Sequence, residues 1–175
     1  MAEPRLSDPA PPSSPPSPAP QRSRAPIAGA VAAALVLATP LVMRWEGKRN
    51  DPYLDIVKVP TVCYGETRVA MRRYSDGECR DMLGKALEAR YMRLVLACTP
   101  VLVDRPYQLA AATSLAYNIG TAAYCRSTVA RRFNSGLFLS GCEAFLMWNR
   151  AGGRVIAGLD RRRRDERKLC MTGLV

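Results

Sequence analysis

The sequence predicts an α+β fold that is predominantly helical, and three observations support this prediction. A short stretch rich in Val, Ile and Tyr, bracketed by Pro52 and Pro60, is typical of strands joined by tight turns. A helix-capping motif follows it and starts a long helical stretch, and the rest of the chain alternates helix starts with Gly or Pro stops. One domain is expected after the N-terminal region, because 175 residues can form a single core of ordinary size.

The chain divides into three regions by composition. Residues 1–26 hold nine of the fourteen prolines, and a segment of this kind cannot form a packed core, so we expect a disordered tail. Residues 27–43 form an uncharged run, at the short end of what crosses a bilayer. Residues 44–175 carry the remaining signals and are expected to form the folded domain.

The run over residues 27–43 is weakly apolar, because seven of its residues are Ala or Gly. Insertion scales reward Leu, Ile, Val and Phe by only about 0.3–0.6 kcal/mol each, so this run lies close to the threshold for insertion. Three interpretations stay open: a membrane anchor, a cleaved secretory signal with an imperfect cleavage site, and a buried helix of the domain. Arg22 and Arg24 precede the run and favour a cytoplasmic N-terminus.

Composition limits the chemistry that the chain can perform. There is no histidine, which excludes histidine-based nucleophile triads and His-ligated zinc. Acid–base chemistry near neutral pH then depends on carboxylates, Cys, Lys or Tyr. All six cysteines follow the apolar run, as expected for disulfides outside the cytoplasm, and their pairing stays open among fifteen connectivities. No CxxC pair is present, so no metal site is expected.

The net charge of +11 favours an anionic partner. Nucleic acid, a membrane surface and the cell wall all fit that charge. The basic residues are scattered, without the motifs of nucleic-acid-binding proteins. Because an extracytoplasmic domain does not meet DNA, we expect cell-wall polymers and no nucleic acid.

Local signals predict the positions of the helices. Ser75 and Glu78 form a capping box that starts a helix over residues 76–97, which Pro100 ends. Asp104 is expected to cap the next helix, which continues to Gly120. Five or six helices and one small sheet are predicted in all, with the later helices over residues 127–134, 142–150 and 159–169.

Two carboxylates near the start of the domain could share the work of glycoside cleavage. Glu46 is expected at the end of a helix, and Asp55 on the first strand or in the turn entering it. Glycoside hydrolysis needs one acid that protonates the leaving oxygen and one ionised carboxylate near the scissile bond. Spacing alone is a weak signal, since Glu and Asp nine residues apart occur in any globular protein.

Further motifs surround these residues. The pattern is Glu46, eight residues, Asp55, five residues and Thr61, followed by Cys-Tyr-Gly-x-Thr over residues 63–67. This pattern resembles that of the phage T4-type lysozymes, glycoside hydrolase family 24. The resemblance extends over residues 45–170 through matching segments at 114–136, 148–163 and 166–170. Within the family, the sequence is most similar to lambdoid endolysins with a signal-anchor-release segment, which suits the apolar run.

The resemblance implies a lysozyme-like fold, in which a small β-containing N-terminal lobe is joined by a long helix to a helical C-terminal lobe. It also implies a muramidase that hydrolyses the β-1,4 bond between N-acetylmuramic acid and N-acetylglucosamine of peptidoglycan and causes host cell lysis, with no cofactor. By family role Glu46 is the general acid, Asp55 is the second carboxylate, and Thr61 helps to hold the attacking water.

Two more side chains are candidate substrate contacts. Asn118 suits the end of a helix on structural grounds, and the resemblance also makes it a cleft residue. The run of four arginines over residues 161–164 spans more than one helical turn, so its side chains cannot all face one way. The resemblance implies that one of them, taken to be Arg162, reaches the cleft and pairs with Glu46.

The sequence departs from the family pattern at two positions near these residues. Lys58 stands where the family usually has Gly, so either Lys58 adopts a left-handed conformation at a cost or the turn differs. Glu66 stands where His is frequent. The alternative function is therefore a non-catalytic, membrane-tethered peptidoglycan-binding protein with a lysozyme fold.

The expected partners are peptidoglycan and the inner membrane, the latter through residues 27–43, and the protein is expected to be a monomer. We expect a single-pass protein of the host inner membrane that moves to the periplasm after release. Glu46 lies three residues after Met43, so insertion of the run holds Glu46 near the headgroups and keeps the cleft from forming.

Overall fold

The computed structural model describes residues 24–55 and 58–174, which form eight α-helices and two small antiparallel sheets. This confirms the predominantly helical α+β class. The α-helices are α1 (Arg24–Trp45), α2 (Asp76–Ala86), α3 (Arg93–Cys98), α4 (Pro106–Ile119), α5 (Thr121–Cys125), α6 (Thr128–Asn134), α7 (Phe138–Glu143) and α8 (Ala157–Thr172).

The strands form two hairpins. The first pairs β1 (Arg49–Leu54) with β2 (Pro60–Cys63). Residues 56 and 57, between these strands in the sequence, lie outside the described residues. The second, which the sequence analysis did not predict, pairs β3 (Arg150–Ala151) with β4 (Arg154–Val155). Its strands have two residues each, too few for a periodic signal, and two glycines form its turn.

The capping box predicted at Ser75 is present and starts the long helical stretch. The Ser75 hydroxyl accepts a hydrogen bond from the Glu78 amide at 3.2 Å, and the Glu78 carboxylate accepts one from the Ser75 amide at 2.8 Å. The stretch that follows is helical, as predicted, but a π-helical segment over Leu87–Met92 interrupts it between α2 and α3. The segment brings the side chain of Arg90 within 3.4 Å of Glu66, next to the first hairpin.

Helix α4 is the central helix of the core. It starts at Pro106, as predicted, and Gly120 follows its last residue with a φ of 85°. Every residue over 108–116 is buried, so the helix is surrounded by other elements. The predicted cap at Asp104 is wrong, because Arg105 occupies the N-cap position and makes no side-chain capping hydrogen bond.

The C-terminal helices agree in part with the prediction. Ser127 caps α6, and its hydroxyl accepts a hydrogen bond from the Ala130 amide at 3.1 Å. The helix predicted over residues 142–150 is misplaced, because α7 begins earlier and a 3₁₀ segment over Ala144–Trp148 continues it. The sequence analysis missed α5, which is only five residues long, and α8 is longer at both ends than predicted.

Helix α1 contains the apolar run and packs against α4. Ala34, Ala38 and Val42 are fully buried and lie on one face, since they are spaced four residues apart. Among the described residues, one helical window, Ala28–Trp45, is long and apolar enough to cross a membrane by length and composition. The disordered tail predicted over residues 1–26 lies outside the described residues as far as residue 23, and α1 begins at Arg24.

All six cysteines form disulfides, which confirms the prediction and supplies the pairing that the sequence left open. The bonds are Cys63–Cys79, Cys98–Cys125 and Cys142–Cys170. The first joins the end of β2 to α2 and so holds the first hairpin against the helical stretch. The other two join α3 to α5 and α7 to α8.

We predict that Gly141→Ala destabilises the protein. A Cβ at position 141 would lie 2.5 Å from two ring carbons of Phe133, so the core must shift. The free energy of unfolding, measured by urea denaturation, is expected to fall by about 1–3 kcal/mol. The control is Gly84→Ala within α2, where a Cβ meets nothing within 4 Å and a gain of up to about 1 kcal/mol is expected. Equal stability of the two variants would contradict the packing described here.

Candidate active site

Glu46 lies directly after the last residue of α1. Its amide donates a hydrogen bond to the Val42 carbonyl at 3.0 Å, which extends the final turn of the helix and fixes where the side chain begins. The side chain is 27% exposed, and its Oε1 accepts a hydrogen bond from Nη1 of Arg162 at 2.6 Å. The contact between Arg162 and Glu46 that the resemblance implies is therefore present.

Arg162 is buried and held by groups on two helices. Its Nε donates to Oε1 of Glu166 at 3.2 Å within α8, and its Nη2 donates to the backbone carbonyl of Ser114 on α4 at 3.4 Å. Only 4% of its side chain is exposed. A guanidinium held by three of its nitrogens has little freedom to rotate, so the Glu46 carboxylate faces a fixed partner.

A second buried ion pair lies behind Arg162. The side chains of Arg163 and Glu166 are fully buried, with Arg163 Nη2 donating to Oε1 of Glu166 at 2.9 Å and Nε lying 2.8 Å from Oε2. The Ser114 hydroxyl donates to Oε1 of Glu166 at 2.7 Å. Burial raises the pKa of the Glu166 carboxyl and lowers that of the Arg163 guanidinium, and the charge of each opposes this effect on the other.

Asp55 follows the last residue of β1. It therefore lies in the turn that leaves the first strand, not on the strand or in the turn entering it as predicted. Its Oδ1 accepts a hydrogen bond from the Val59 amide at 2.8 Å, and its own amide donates to the Val59 carbonyl at 3.0 Å. These bonds fix the carboxylate relative to the start of β2.

Thr61 lies on β2 with 3% of its surface exposed. Its hydroxyl donates to the Val59 carbonyl at 2.9 Å, so the backbone of Val59 contacts both Asp55 and Thr61. With its proton donated to the backbone, the Thr61 oxygen keeps lone pairs that can accept a hydrogen bond. The structure thus brings Asp55 and Thr61 together through one residue of the hairpin.

Lys58 adopts the left-handed conformation, with a φ of 62°. This decides between the two alternatives that the missing family glycine left open. The Lys58 amide donates to the Asp55 carbonyl at 3.0 Å, so the strained residue belongs to the same turn that carries Asp55. The turn keeps a conformation that favours Gly although a lysine occupies the position.

Two tyrosines that the sequence analysis did not single out connect the first hairpin to the helices. The Tyr117 hydroxyl on α4 donates to the Tyr64 carbonyl at 2.5 Å, and its ring centroid lies 4.8 Å from that of Tyr91. Burial, followed by the charge of Glu46, raises the pKa of Tyr117 above its usual value. Tyr91 lies in the π-helical segment, and no sequence signal marked that segment. Tyr117 directly precedes Asn118, which the sequence analysis named as a candidate substrate contact.

The two remaining candidate positions have different surroundings. Glu66 is 6% exposed and pairs with Arg90 of the π-helical segment, with the nearest atoms 3.4 Å apart. Asn118 lies exposed in the last turn of α4, as expected for a residue near a helix end. Glu66, which stands where the resembled family frequently has His, is thus paired with Arg90.

We predict that Lys58→Gly stabilises the fold. Glycine adopts a positive φ without the steric cost of a Cβ, and part of this gain is lost to the greater freedom of glycine in the unfolded chain. The free energy of unfolding is expected to rise by up to about 1 kcal/mol, as measured by urea denaturation. Lys58→Ala is the control, because it removes the charge but keeps the Cβ and should give no gain. If both variants gain equally, the left-handed strain is not the cause.

Comparison with known proteins gives concordant matches. A match to the phage lysozyme family spans residues 43–166. The SAR-endolysin of Bacteriophage PS119 is 36% identical over 133 residues, which are 73% of this chain and 77% of that protein. The SAR-endolysin of Pseudomonas phage phiKMV is 36% identical over 145 residues, which are 79% of this chain and 89% of that protein.

Solved structures agree with the lysozyme-like fold. A mutant of P22 lysozyme has a TM-score of 0.66 and 27% identity, and the match covers 77% of this chain and 94% of that chain. The active form of the P1 phage endolysin Lyz has a TM-score of 0.68 at 23% identity, covering 85% and 95% of the two chains, and it supports the fold alone. From the family match and its relatives, the chain belongs to the phage lysozyme family, the glycoside hydrolases that act on peptidoglycan.

Proposed function

We propose that the protein is an endolysin that is held in the inner membrane and then released, and that Glu46 and Asp55 carry its lysozyme activity. The single observation that carries the catalytic half is the 2.6 Å contact between Glu46 and Arg162, which fixes a carboxylate at the end of α1. A second carboxylate, Asp55, is fixed by the Val59 amide on the first hairpin. The two groups belong to separate elements, as needed for acids that act from either side of a bound sugar chain.

In the proposed reaction Glu46 protonates the glycosidic oxygen of the β-1,4 bond. Arg162 contacts Oε1, so Oε2 is the oxygen that we assign to the leaving group. Asp55 stabilises the positive charge that develops on the sugar or activates the attacking water, and the separation of the carboxylates decides which. The Thr61 oxygen accepts a hydrogen bond from that water, because its proton is already donated to Val59.

We predict that Glu46→Gln and Asp55→Asn each lower the clearing rate of chloroform-treated Gram-negative cells by at least about 100-fold. General acid–base catalysis contributes roughly 100- to 10,000-fold, and both changes remove the chemistry while keeping the shape. The controls are Glu88→Gln and Asp51→Asn, which alter exposed carboxylates of the same region and should keep wild-type rates.

The same assay tests the alternative function. A wild-type protein that binds purified peptidoglycan in a pelleting assay but does not clear the cells would be a non-catalytic binder. Clearing by both the Glu46 and the Asp55 variants at the wild-type rate would reject the proposed catalytic residues.

Helix α1 supports the membrane half of the proposal. The small residues that make the run marginal for insertion also form the buried face, where Ala34 and Ala38 allow α1 to approach α4 closely. One helix can therefore serve in a bilayer and in a protein core. With Arg22 and Arg24 on the cytoplasmic side, the domain after Trp45 lies in the periplasm.

Release of α1 and assembly of the active site are coupled in this proposal. A helix that spans the bilayer exposes Ala34, Ala38 and Val42 to lipid, so it cannot pack these residues against α4. Glu46 follows that helix directly and can reach Arg162 only when α1 lies against the domain. Membrane depolarisation by a phage pore protein is the trigger expected for this subgroup.

We predict that leucine at Gly29, Ala32 and Ala33 locks the protein in the membrane and suppresses lysis. All three positions are exposed, so larger side chains there raise membrane affinity without disturbing the packing on α4. Each leucine favours insertion by about 0.5 kcal/mol. Lysis timing and membrane fractionation give the readout, and serine at the same positions is the control, expected to hasten release. Wild-type timing in the leucine variant would contradict the release step.

A further inference from the structure

We propose that Glu166 and Arg163, two buried residues of α8, are positioning residues that determine the net charge acting on Glu46 through Arg162. The inference deepens the proposed function, because it rests on Glu46 being the general acid. Neither residue is expected to touch the substrate, since both side chains are fully buried.

Arg162 is held between two carboxylates. Its Nη1 contacts Glu46 at 2.6 Å and its Nε contacts Glu166 at 3.2 Å, at different edges of the guanidinium plane. Glu166 and Glu46 therefore share the charge of Arg162. Without the charge of Glu166, the charge of the guanidinium acts on Glu46 uncompensated.

Three donors converge on the same oxygen of Glu166. The Ser114 hydroxyl and the guanidinium groups of Arg162 and Arg163 all contact Oε1, at 2.7, 3.2 and 2.9 Å. Three donated hydrogen bonds favour the charged carboxylate, although burial alone opposes it. Glu166 thus compensates one of the two arginines that lie behind the active site.

The charges of Arg162, Arg163 and Glu166 sum to a single positive charge behind Glu46. Tyr117 on α4 and Tyr91 on the π-helical segment also lie near Glu46. Glu66, which pairs with Arg90, and Asp55, the second carboxylate of the proposed site, add charges that none of the variants below changes. Both tyrosines have a raised pKa and stay neutral. The ionised Glu46 completes a neutral cluster, whereas loss of either buried partner would leave it with a net charge.

A purely structural role is the competing explanation. A buried ion pair can often be replaced by apolar side chains without loss of stability, so stability alone does not account for the pair. The two explanations differ in what they predict for the pH profile of activity. A structural role changes the amount of active protein at every pH, whereas a change of charge moves the pH at which the Glu46 proton is lost.

The test measures the alkaline limb of the pH profile of cell clearing for the full chain, which reports loss of the proton from the general acid. Glu166→Gln leaves two positive charges facing Glu46, so the limb moves to lower pH. Arg163→Met leaves no net charge, because Glu166 then compensates Arg162, so the limb moves to higher pH. Each shift is expected to be about one pH unit, from the interaction of one charge across several ångströms at an effective dielectric constant near 20.

The double variant Arg163→Met with Glu166→Gln restores a single positive charge, and its limb should coincide with that of the wild type. Arg164→Met is the matched control on α8, because Arg164 is 68% exposed and pairs with Asp160, and it should leave the limb unchanged. Thermal unfolding of every variant shows how much folded protein contributes to the rate.

The inference would be overturned if the alkaline limb of the folded Glu166→Gln and Arg163→Met variants stays at the wild-type pH, or if it moves in the same direction in both. If Glu166→Gln does not fold, the upward shift of Arg163→Met and the return in the double variant decide the matter. Failure of the proposed function is distinguishable, since Glu46→Gln would then keep its activity whatever the limbs do.

Discussion

The ion pair between Glu46 and Arg162 joins the end of the first helix to the last helix, and the active site proposed for this protein depends on it. The other described ion pair between these helices, Arg44 with Asp165 at 3.4 Å, involves an arginine that is 69% exposed, and pairs of this kind contribute little to stability. The Glu46 contact is different, because its partner is buried and already held by α4 and α8. Without Glu46, the two buried arginines of α8 share one carboxylate, Glu166, and a buried positive charge is left uncompensated at a large desolvation cost. Docking of α1 and completion of the proposed site therefore favour each other.

In the proposed function, this coupling suits a weakly apolar helix such as α1. A leucine-rich helix would be a better anchor but could not bring its backbone close to α4, where Ala34 and Ala38 are fully buried. The apolar contacts of such a small-residue face are modest, at about 25 cal/mol per Å² buried. The ion pair adds a specific contact at the end of the helix, and it involves Glu46, the proposed general acid.

Local signals predicted the parts of this structure that depend on neighbouring residues. The Ser75 cap and the start of α4 at Pro106 follow from short-range sterics and hydrogen bonding. The conformation of Lys58 was left open between two alternatives that came from the family resemblance, and the structure has the left-handed one. The disulfide pairing and the π-helical segment depend on contacts between distant elements, and no local pattern encodes them. The arginine run is the clearest case: on a helix it is typical of a solvated surface, yet Arg162 and Arg163 are buried because Glu166 and Glu46 neutralise them.

The hairpin that carries Asp55 and Thr61 shows how the fold tolerates strain beside the active site. Among its described residues, two that are not glycine adopt positive φ, Lys58 at 62° before β2 and Cys63 at 59° at its end, each at a cost of roughly 1–2 kcal/mol. Such conformations persist only where the surroundings leave no alternative. Two contacts hold the end of β2. Cys63 forms a disulfide with Cys79, and the carbonyl of Tyr64, the residue after Cys63, accepts a hydrogen bond from the Tyr117 hydroxyl. Contacts with the helical core, and not only the hairpin's own backbone preferences, therefore fix the end of the strand that carries Thr61.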